Sequence, residues 1–388
     1  MTSPSASAPL VLREISRETH LAHLALHPEA SHLQIPEWAG VKPDWTARSV
    51  GWFEERPGAA EPLMVAAALV LYRQLPGTRR SLAYVPEGPS IDWTSPRLER
   101  WLDPLRAHVA DQGAFSLRMG PPLIVREWSA RTVAEGIADP GVRHLHGMSA
   151  DALDGSALEV AERLRRLGWQ PCADGDDTGF GVGQPRYGCR VPLAGRSTQD
   201  LRDGLILHWS QSLRASELAG VRVTWGTPAD LPDFHRLYAA TAARDGFKAR
   251  PLAYFQRMWQ ALNAQDDDRL RLYLAEHDGE TLSAALMITV GSHVWHSYAA
   301  SAPKGRELRP SNALLWRMLT DAHASGATTY DLRAITPLLT DPNRLLGRLR
   351  FKTGTGGRAV EYLGEWEIPV GARGRALQRA VGVYLGRR

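Results

Sequence analysis

Three strand-like stretches follow one another between residues 271 and 300, and they constrain the fold of this 388-residue chain more than any other feature. Arg271-Leu272-Tyr273-Leu274-Ala275 and the run from Thr281 to Val290 are joined through Asp278-Gly279, a dipeptide suited to the positive φ angles of a tight hairpin. His293 to Ala300 supplies a third strand. Helical spacing then covers Asn312 to Ser325, and a short strand runs from Thr329 to Arg333. A long antiparallel run followed by a helix and a strand is therefore expected in the second half.

The segments before it alternate in the same way. Helices are expected over Ala157–Leu167, Arg202–Leu218, Ala229–Arg244 and Pro251–Leu262, with strands at Arg186–Leu193 and Val221–Trp225. In the first half, Met64 to Tyr72 is continuously apolar, as in a strand buried on both faces. Ser81–Val85 and Ala114–Arg118 are further strands. Pro96 to Gln112 is a helix with Leu98, Trp101, Leu102, Leu105 and Val109 on one face. Both halves thus read as α/β.

Composition excludes several classes. Apolar residues make up 44% and charged residues 23%, so the chain can build real cores and is not a disordered polymer. Its length suits two domains. A net charge of +4, from 46 basic and 42 acidic residues, fits anionic ligands but is weak evidence for nucleic acid. The two cysteines, Cys172 and Cys189, make neither a disulfide framework nor a zinc spacing, and a reduced, cytoplasmic protein is expected. The thirteen histidines form no metal or triad pattern, so no metal is expected. Residues 1–9 are rich in Ser, Ala and Pro without a basic, apolar leader, and read as a disordered tail. The longest apolar runs are about half of a bilayer span, which leaves room only for a peripheral membrane contact.

One segment stands apart. Arg350-Phe351-Lys352-Thr353-Gly354-Thr355-Gly356-Gly357 drives a basic–aromatic pair into three glycines, between strand-like runs at Tyr330–Arg333 and Val360–Gly364. Such glycines let a ligand approach the backbone closely. Lys352 beside an open backbone edge could hold a phosphate or stabilise an oxyanion. The plainer alternative is a glycine-rich hairpin carrying a solvated lysine.

With these residues in view, the chain resembles the FemABX family of aminoacyl-tRNA-dependent peptidyltransferases, of the simpler FemX-like type without a helical arm. The matching segments are Gln34 through Trp38 to Lys42 and Trp45; Gln184-Pro185-Arg186-Tyr187; Thr241 with Arg244-Asp245-Gly246-Phe247; Tyr330-Asp331-Leu332-Arg333; and Arg350-Phe351-Lys352-Thr353-Gly354 with Gly357. They stand in the family's order over roughly residues 30–365. The resemblance implies two tandem acetyltransferase-like (GNAT) domains with mixed, mostly antiparallel sheets flanked by helices. Their expected extents are 10–150 and 151–365, with 366–388 returning to the first. It implies transfer of an amino acid from aminoacyl-tRNA to an amine on the stem peptide of a nucleotide- or lipid-linked peptidoglycan precursor. No cofactor is implied, since the charged tRNA is the donor substrate, and a monomer is expected.

The resemblance also assigns residues. Lys42 and Arg244 would contact the precursor's diphosphate, and Tyr298 would be a site tyrosine. Phe351 and Trp38 would line the substrates, with Lys352 as the catalytic cation. The plain alternatives are a solvated loop lysine for Lys42, a helix C-terminal arginine for Arg244, and packing roles for Tyr298 and Trp38. One departure weakens the assignment of a general base: Gly120 stands where many relatives carry a carboxylate. Other classes remain open. An acetyl-CoA-dependent N-acetyltransferase would need a glycine-rich pyrophosphate loop, but the matching place reads Arg306-Glu307-Leu308-Arg309-Pro310-Ser311, without glycine and with a proline that lacks a donor. A non-catalytic tRNA-binding or scaffold protein, and a tRNA-dependent enzyme of peptide antibiotic assembly, complete the alternatives. Ala372 to Gly386 is expected to be a basic amphipathic helix docked on a domain.

Overall fold

The computed structural model describes residues 9–56, 58, 61–172, 183–340, 344–371 and 374–377. The chain starts with β1 (Leu10–Glu14), α1 (Arg17–Ala25), α2 (Trp38–Val41), β2 (Thr46–Glu54), β3 (Leu63–Gln74), β4 (Ser81–Val85), α3 (Glu99–Asp111) and β5 (Ala114–Met119). Next come β6 (Ile124–Trp128), α4 (Ala130–Ala138), β7 (Ala152–Leu153), α5 (Gly155–Arg166), β8 (Gln170–Pro171) and β9 (Tyr187–Pro192). Helices α6 (Thr198–Asp203) and α7 (Leu207–Leu218) precede β10 (Arg222–Gly226), α8 (Leu231–Asp245) and α9 (Leu252–Leu262). The last part holds β11 (Leu270–His277), β12 (Glu280–Val290), β13 (His293–Ser301), α10 (Pro310–Ala324), β14 (Thr329–Ala334), α11 (Arg344–Thr353), β15 (Arg358–Tyr362) and β16 (Trp366–Pro369).

These elements form two units. One contains residues 1–123, 154–173 and 363–388; the other contains 124–153 and 174–362. The sequence places boundaries at 150/151 and 365/366, with the last segment returning to the first domain, whereas the chain changes unit at 123/124, 153/154, 173/174 and 362/363. Sheet ladders explain the difference. Strands β6 and β7 join the second sheet through β15, while β8 and β16 join the first through β5. Such long-range hydrogen bonding is invisible to composition along the chain.

The first unit has a seven-stranded sheet in the order β1-β2-β3-β4-β5-β16-β8. Its interior strand β3 is buried from Ala66 to Tyr72, as its unbroken apolar run implies. Helix α3 turns Trp101, Leu102, Leu105 and Val109 inward, the face expected from their spacing. The second unit has a nine-stranded sheet, β10-β11-β12-β13-β14-β9-β15-β6-β7. The β11–β12–β13 run is antiparallel, with Asp278 (φ 49°) and Gly279 (φ 77°) at the tight turn. The fold is mixed α/β, two sheets flanked by helices.

One irregularity positions everything that follows. Strands β13 and β14 pair in parallel only from His293–Thr329 to Trp295–Asp331. Beyond that pair β13 carries a bulge, where Leu286 faces Tyr298 and Met287 faces His296. The remaining backbone of the two strands is left to other partners, and a cavity opens there. The expected N-terminal tail, apart from residue 9, and most of the expected C-terminal helix lie outside the described residues. Among the described residues no helix is long and apolar enough to cross a membrane, and no cluster of His, Cys, Asp and Glu is arranged to hold a metal ion.

Candidate active site

The cavity at the β13–β14 split has a volume of about 620 Å³ and lies wholly within the second unit. Lys352, Phe351, Arg244 and Tyr298 all line it. Four of the residues singled out from sequence, on the three elements α8, β13 and α11, are thus brought together.

Lys352 arrives from an unexpected element. Arg350 to Thr353 is not a glycine-rich hairpin but the last turn of α11. The glycines after it serve packing instead of ligand approach. A Cβ on Gly354 would lie 2.7 Å from the Trp209 ring, and one on Gly357 would lie 2.7 Å from Cys189 Sγ. Gly356 takes φ 79° with its α-carbon pressed toward the Gly204 carbonyl. The helix end is thereby clamped, and the lysine side chain is directed across the split. Its ammonium donates to the Leu332 and Ala334 carbonyls, both at 2.7 Å. These are the carbonyls left by β14 where its pairing with β13 has ended, so the open backbone edge foreseen beside Lys352 is present. Two of the three ammonium protons are committed to them. Burial lowers the Lys352 pKa to about 8; Cys189 and Asp331 oppose that shift, and Arg348 and Arg333 add to it. The group is therefore still mainly cationic at neutral pH, though held at a cost.

Below the lysine, Asp331 is almost fully buried. Burial alone would raise its pKa, but His293, Arg190 and Arg333 hold it ionised, well below the usual carboxylate range. Its carboxylate also accepts the Arg333 backbone N–H at 2.6 Å. Arg333 itself has φ 62°, a left-handed conformation that costs an arginine of order 1 kcal/mol. In this pose its guanidinium reaches Gln184 Oε1 at 2.8 Å, which ties together two of the sequence segments noted above.

Arg244 sits in the last turn of α8, before Gly246 in the left-handed region. Its guanidinium donates to the Ser301 carbonyl at 3.0 Å and to Asp245 at 3.1 Å, while Arg348 donates to the other Asp245 oxygen at 2.8 Å. The arginine is thus fixed by strand and helix together and lines the cavity, beyond any effect on the helix dipole. Tyr298 hydrogen-bonds the Tyr254 hydroxyl at 3.0 Å and packs edge-on against Tyr238 and Phe255. Burial raises the Tyr254 pKa strongly, so the Tyr254 hydroxyl stays neutral. His296 also lines the cavity; burial, aided by the Lys352 charge, lowers its pKa to about 3, and its Nδ1 lies 3.2 Å from the Tyr330 hydroxyl. It is a neutral imidazole. Tyr238, Phe247 and His296 were not singled out from sequence as site residues, because an aromatic on a helix or strand carries no local sign that it faces a cavity.

Lys42 and Trp38 belong to the first unit. The Lys42 ammonium lies 5.6 Å from the centre of the Trp38 ring, a cation–π distance, and Trp38 is itself buried against His32. Trp45 packs near Tyr84, with Arg73 over its ring. At Gly120, a carboxylate is supplied by another part of the chain. An added Cβ there would stand 3.7 Å from Glu365 Cγ, and the Glu365 carboxylate accepts the Tyr84 hydroxyl proton.

The FemAB family pattern matches residues 15–281 and 270–377. The chain belongs to the FemAB family. Similar curated members include a lipid II:glycine glycyltransferase of Staphylococcus haemolyticus, 22% identical over 91% of each chain. Another is the UDP-N-acetylmuramoylpentapeptide-lysine N(6)-alanyltransferase of Weissella viridescens, 27% identical over 84% of this chain and 86% of that one. Among solved structures, FemX superposes with a TM-score of 0.76 at 20% identity, covering 95% of this chain and 99% of its own. A tandem GNAT protein from the clavulanic acid biosynthesis pathway gives 0.51 at 11% identity over 93% and 99%. The expected pair of acetyltransferase-like layers is therefore the fold of this FemAB member.

Proposed function

We propose that this FemAB member is an aminoacyltransferase that moves an amino acid from aminoacyl-tRNA to an amine on the stem peptide of a peptidoglycan precursor, in the cytoplasm. The observation that carries the proposal is the Lys352 ammonium, pinned by two strand carbonyls at the wall of a cavity that Arg244, Tyr298 and Phe351 also line. The names of the two curated relatives, both transferases acting on cell-wall precursors, support the acceptor class.

The chemistry asks little of the protein. An aminoacyl ester is already activated. The acceptor amine attacks its carbonyl carbon, and negative charge develops on the carbonyl oxygen. The uncommitted proton of Lys352 is aimed at that oxygen, where a fixed cation in a desolvated site is worth most. The C–O bond to the ribose then breaks, the amide remains, and the amine's proton passes to the departing ribose oxygen or to solvent. Positioning of the amine supplies much of the remaining rate. Arg244 and Lys42 are assigned to the precursor's diphosphate, the arginine as a fork and the lysine as a point cation suited to phosphate.

An acetyl-CoA-dependent reaction is the second reading. Against it stands the start of α10, where Pro310 lacks an N–H and Arg309 takes φ 56°. Ribonuclease treatment of a charged-tRNA donor mixture decides between the two. Transfer should vanish after treatment and should not be restored by acetyl-CoA. Robust acetylation with acetyl-CoA alone would replace the proposal with the second reading.

A further inference from the structure

The loop between α8 and α9 carries a guanidinium with no partner of opposite charge. Arg250 precedes Pro251, from which α9 starts. Its backbone carbonyl accepts a hydrogen bond from His235 Nε2 at 3.1 Å, so the end of the loop is tied back to α8. The residue is exposed, yet its guanidinium lies 4.7 Å from the centre of the Tyr254 ring, a cation–π distance. It also donates to the Tyr298 hydroxyl. Tyr238, Tyr254 and Tyr298 surround it, and no carboxylate among the described residues forms an ion pair with it. Arg244 and Arg348 differ in this respect, since both are paired with Asp245.

Tyr298 connects this cation to the reaction cavity, which it lines together with Tyr238. A guanidinium only donates, so the Tyr298 oxygen accepts from Arg250. With Tyr254 donating to the same oxygen across their 3.0 Å contact, the Tyr298 proton is left for a ligand. The ring itself is held edge-on against Tyr238 and Phe255. The cavity wall beside Tyr298 therefore presents donors without a matching acceptor. Such donors between aromatic faces suit a planar anion with two oxygens, and a guanidinium fork matches a carboxylate. A neutral amide in the same place would set its own N–H groups against these donors and leave them unpaired.

We propose that Arg250 and Tyr298 form a carboxylate subsite, which reads a free carboxylate of the acceptor peptide while the peptide's amine is presented in the Lys352 cavity. The inference rests on the peptide acceptor proposed above and names the group by which that acceptor is selected. A stem peptide offers this group at an internal residue and at its C-terminus.

The test compares three synthetic acceptor precursors at saturating donor: one unmodified, one with the internal carboxylate converted to the amide, and one with the C-terminal carboxylate converted to the amide. For wild-type protein at least one amidation should raise the acceptor KM about 10- to 100-fold, the range for a hydrogen bond to a charged group, with kcat little changed. The position that responds identifies the carboxylate that is read. Arg250→Gln should raise the KM of the unmodified acceptor to near that of the discriminated amide, leave the amide's own KM unmoved, and melt as wild type does. Arg250→Lys should restore part of the discrimination, because the charge is retained, and Tyr298→Phe should shrink it. A merely structural role for Arg250 would lower activity equally on all three acceptors. That result, a wild-type protein that uses all three equally, or discrimination that survives Arg250→Gln would overturn the subsite and leave the acceptor class standing. If wild-type protein transfers to none of them, the proposed function itself fails and the subsite falls with it.

Discussion

Removing the Lys352 charge separates catalysis from binding. Lys352→Met keeps the bulk of the stem and deletes the ammonium. Drawing that ammonium from 10.5 to about 8 costs the folded protein about 3 kcal/mol at neutral pH. The methionine variant recovers that cost but strips the Leu332 and Ala334 carbonyls of their donor, at about 1–3 kcal/mol each. The two effects nearly cancel, so the melting temperature should move little. Turnover should not be spared: loss of one oxyanion partner lowers kcat by about 10²–10³, with substrate KM values nearly unchanged, because the interaction forms chiefly in the transition state. Lys352→Arg should also be impaired, since a planar fork cannot occupy the same point. The pH profile gives a second readout. The cation is lost as pH rises through about 8, so wild-type kcat should fall on that side. The limb should be absent from the methionine variant. Steady-state kinetics with saturating acceptor measures both. A raised donor KM with nearly normal kcat, or a basic limb that persists in Lys352→Met, would refute the catalytic role and leave an anchoring one.

Further expectations concern the acceptor, acid stability and the α11 clamp. Lys42→Ala and Arg244→Ala should each raise the precursor KM by the equivalent of about 1–3 kcal/mol, the loss of a charged hydrogen bond; unchanged KM in both folded variants would remove the diphosphate assignment. His20, His23 and His296 are held neutral by burial, at pKa values of about 4, 4 and 3. Their folded values lie below the ordinary 6.5, so the unfolded chain takes up protons first. Stability should be full above pH 6.5 and fall progressively toward pH 4; His20→Gln and His23→Gln should flatten that fall in thermal melts, and an unchanged slope would contradict it. Gly356→Ala combines a φ of 79° with a Cβ 2.7 Å from the Gly204 carbonyl oxygen, and should destabilise by about 2 kcal/mol or more; a neutral effect on the denaturant midpoint would disprove the clamp.

The sequence exposed those parts of the fold that depend on local pattern. The β11–β12 hairpin follows from Asp278-Gly279, and the inward face of α3 follows from the spacing of Trp101, Leu105 and Val109. Lys352, Phe351, Arg244 and Tyr298 were legible as a set, and they share a cavity. Helix α11 was not legible through Arg350–Lys352, because Gly347 interrupts its short apolar pattern and three glycines follow. The purpose of those glycines lies in Trp209, Gly204 and Cys189, which are far away in the chain. Glu365 beside Gly120 and the paired Tyr254 and Tyr298 hydroxyls are likewise tertiary facts. Sheet membership of β6, β8 and β16 depends on ladders between distant strands, which composition along the chain does not encode.

The most direct test of the central claim is the mass of the reaction product. Purified protein is incubated with pooled aminoacyl-tRNA and a peptidoglycan precursor, and the product is fragmented in a mass spectrometer. One aminoacyl residue should be added in amide linkage to an amine of the stem peptide. An unmodified precursor, or one carrying only an acetyl group when acetyl-CoA is supplied, would contradict the claim.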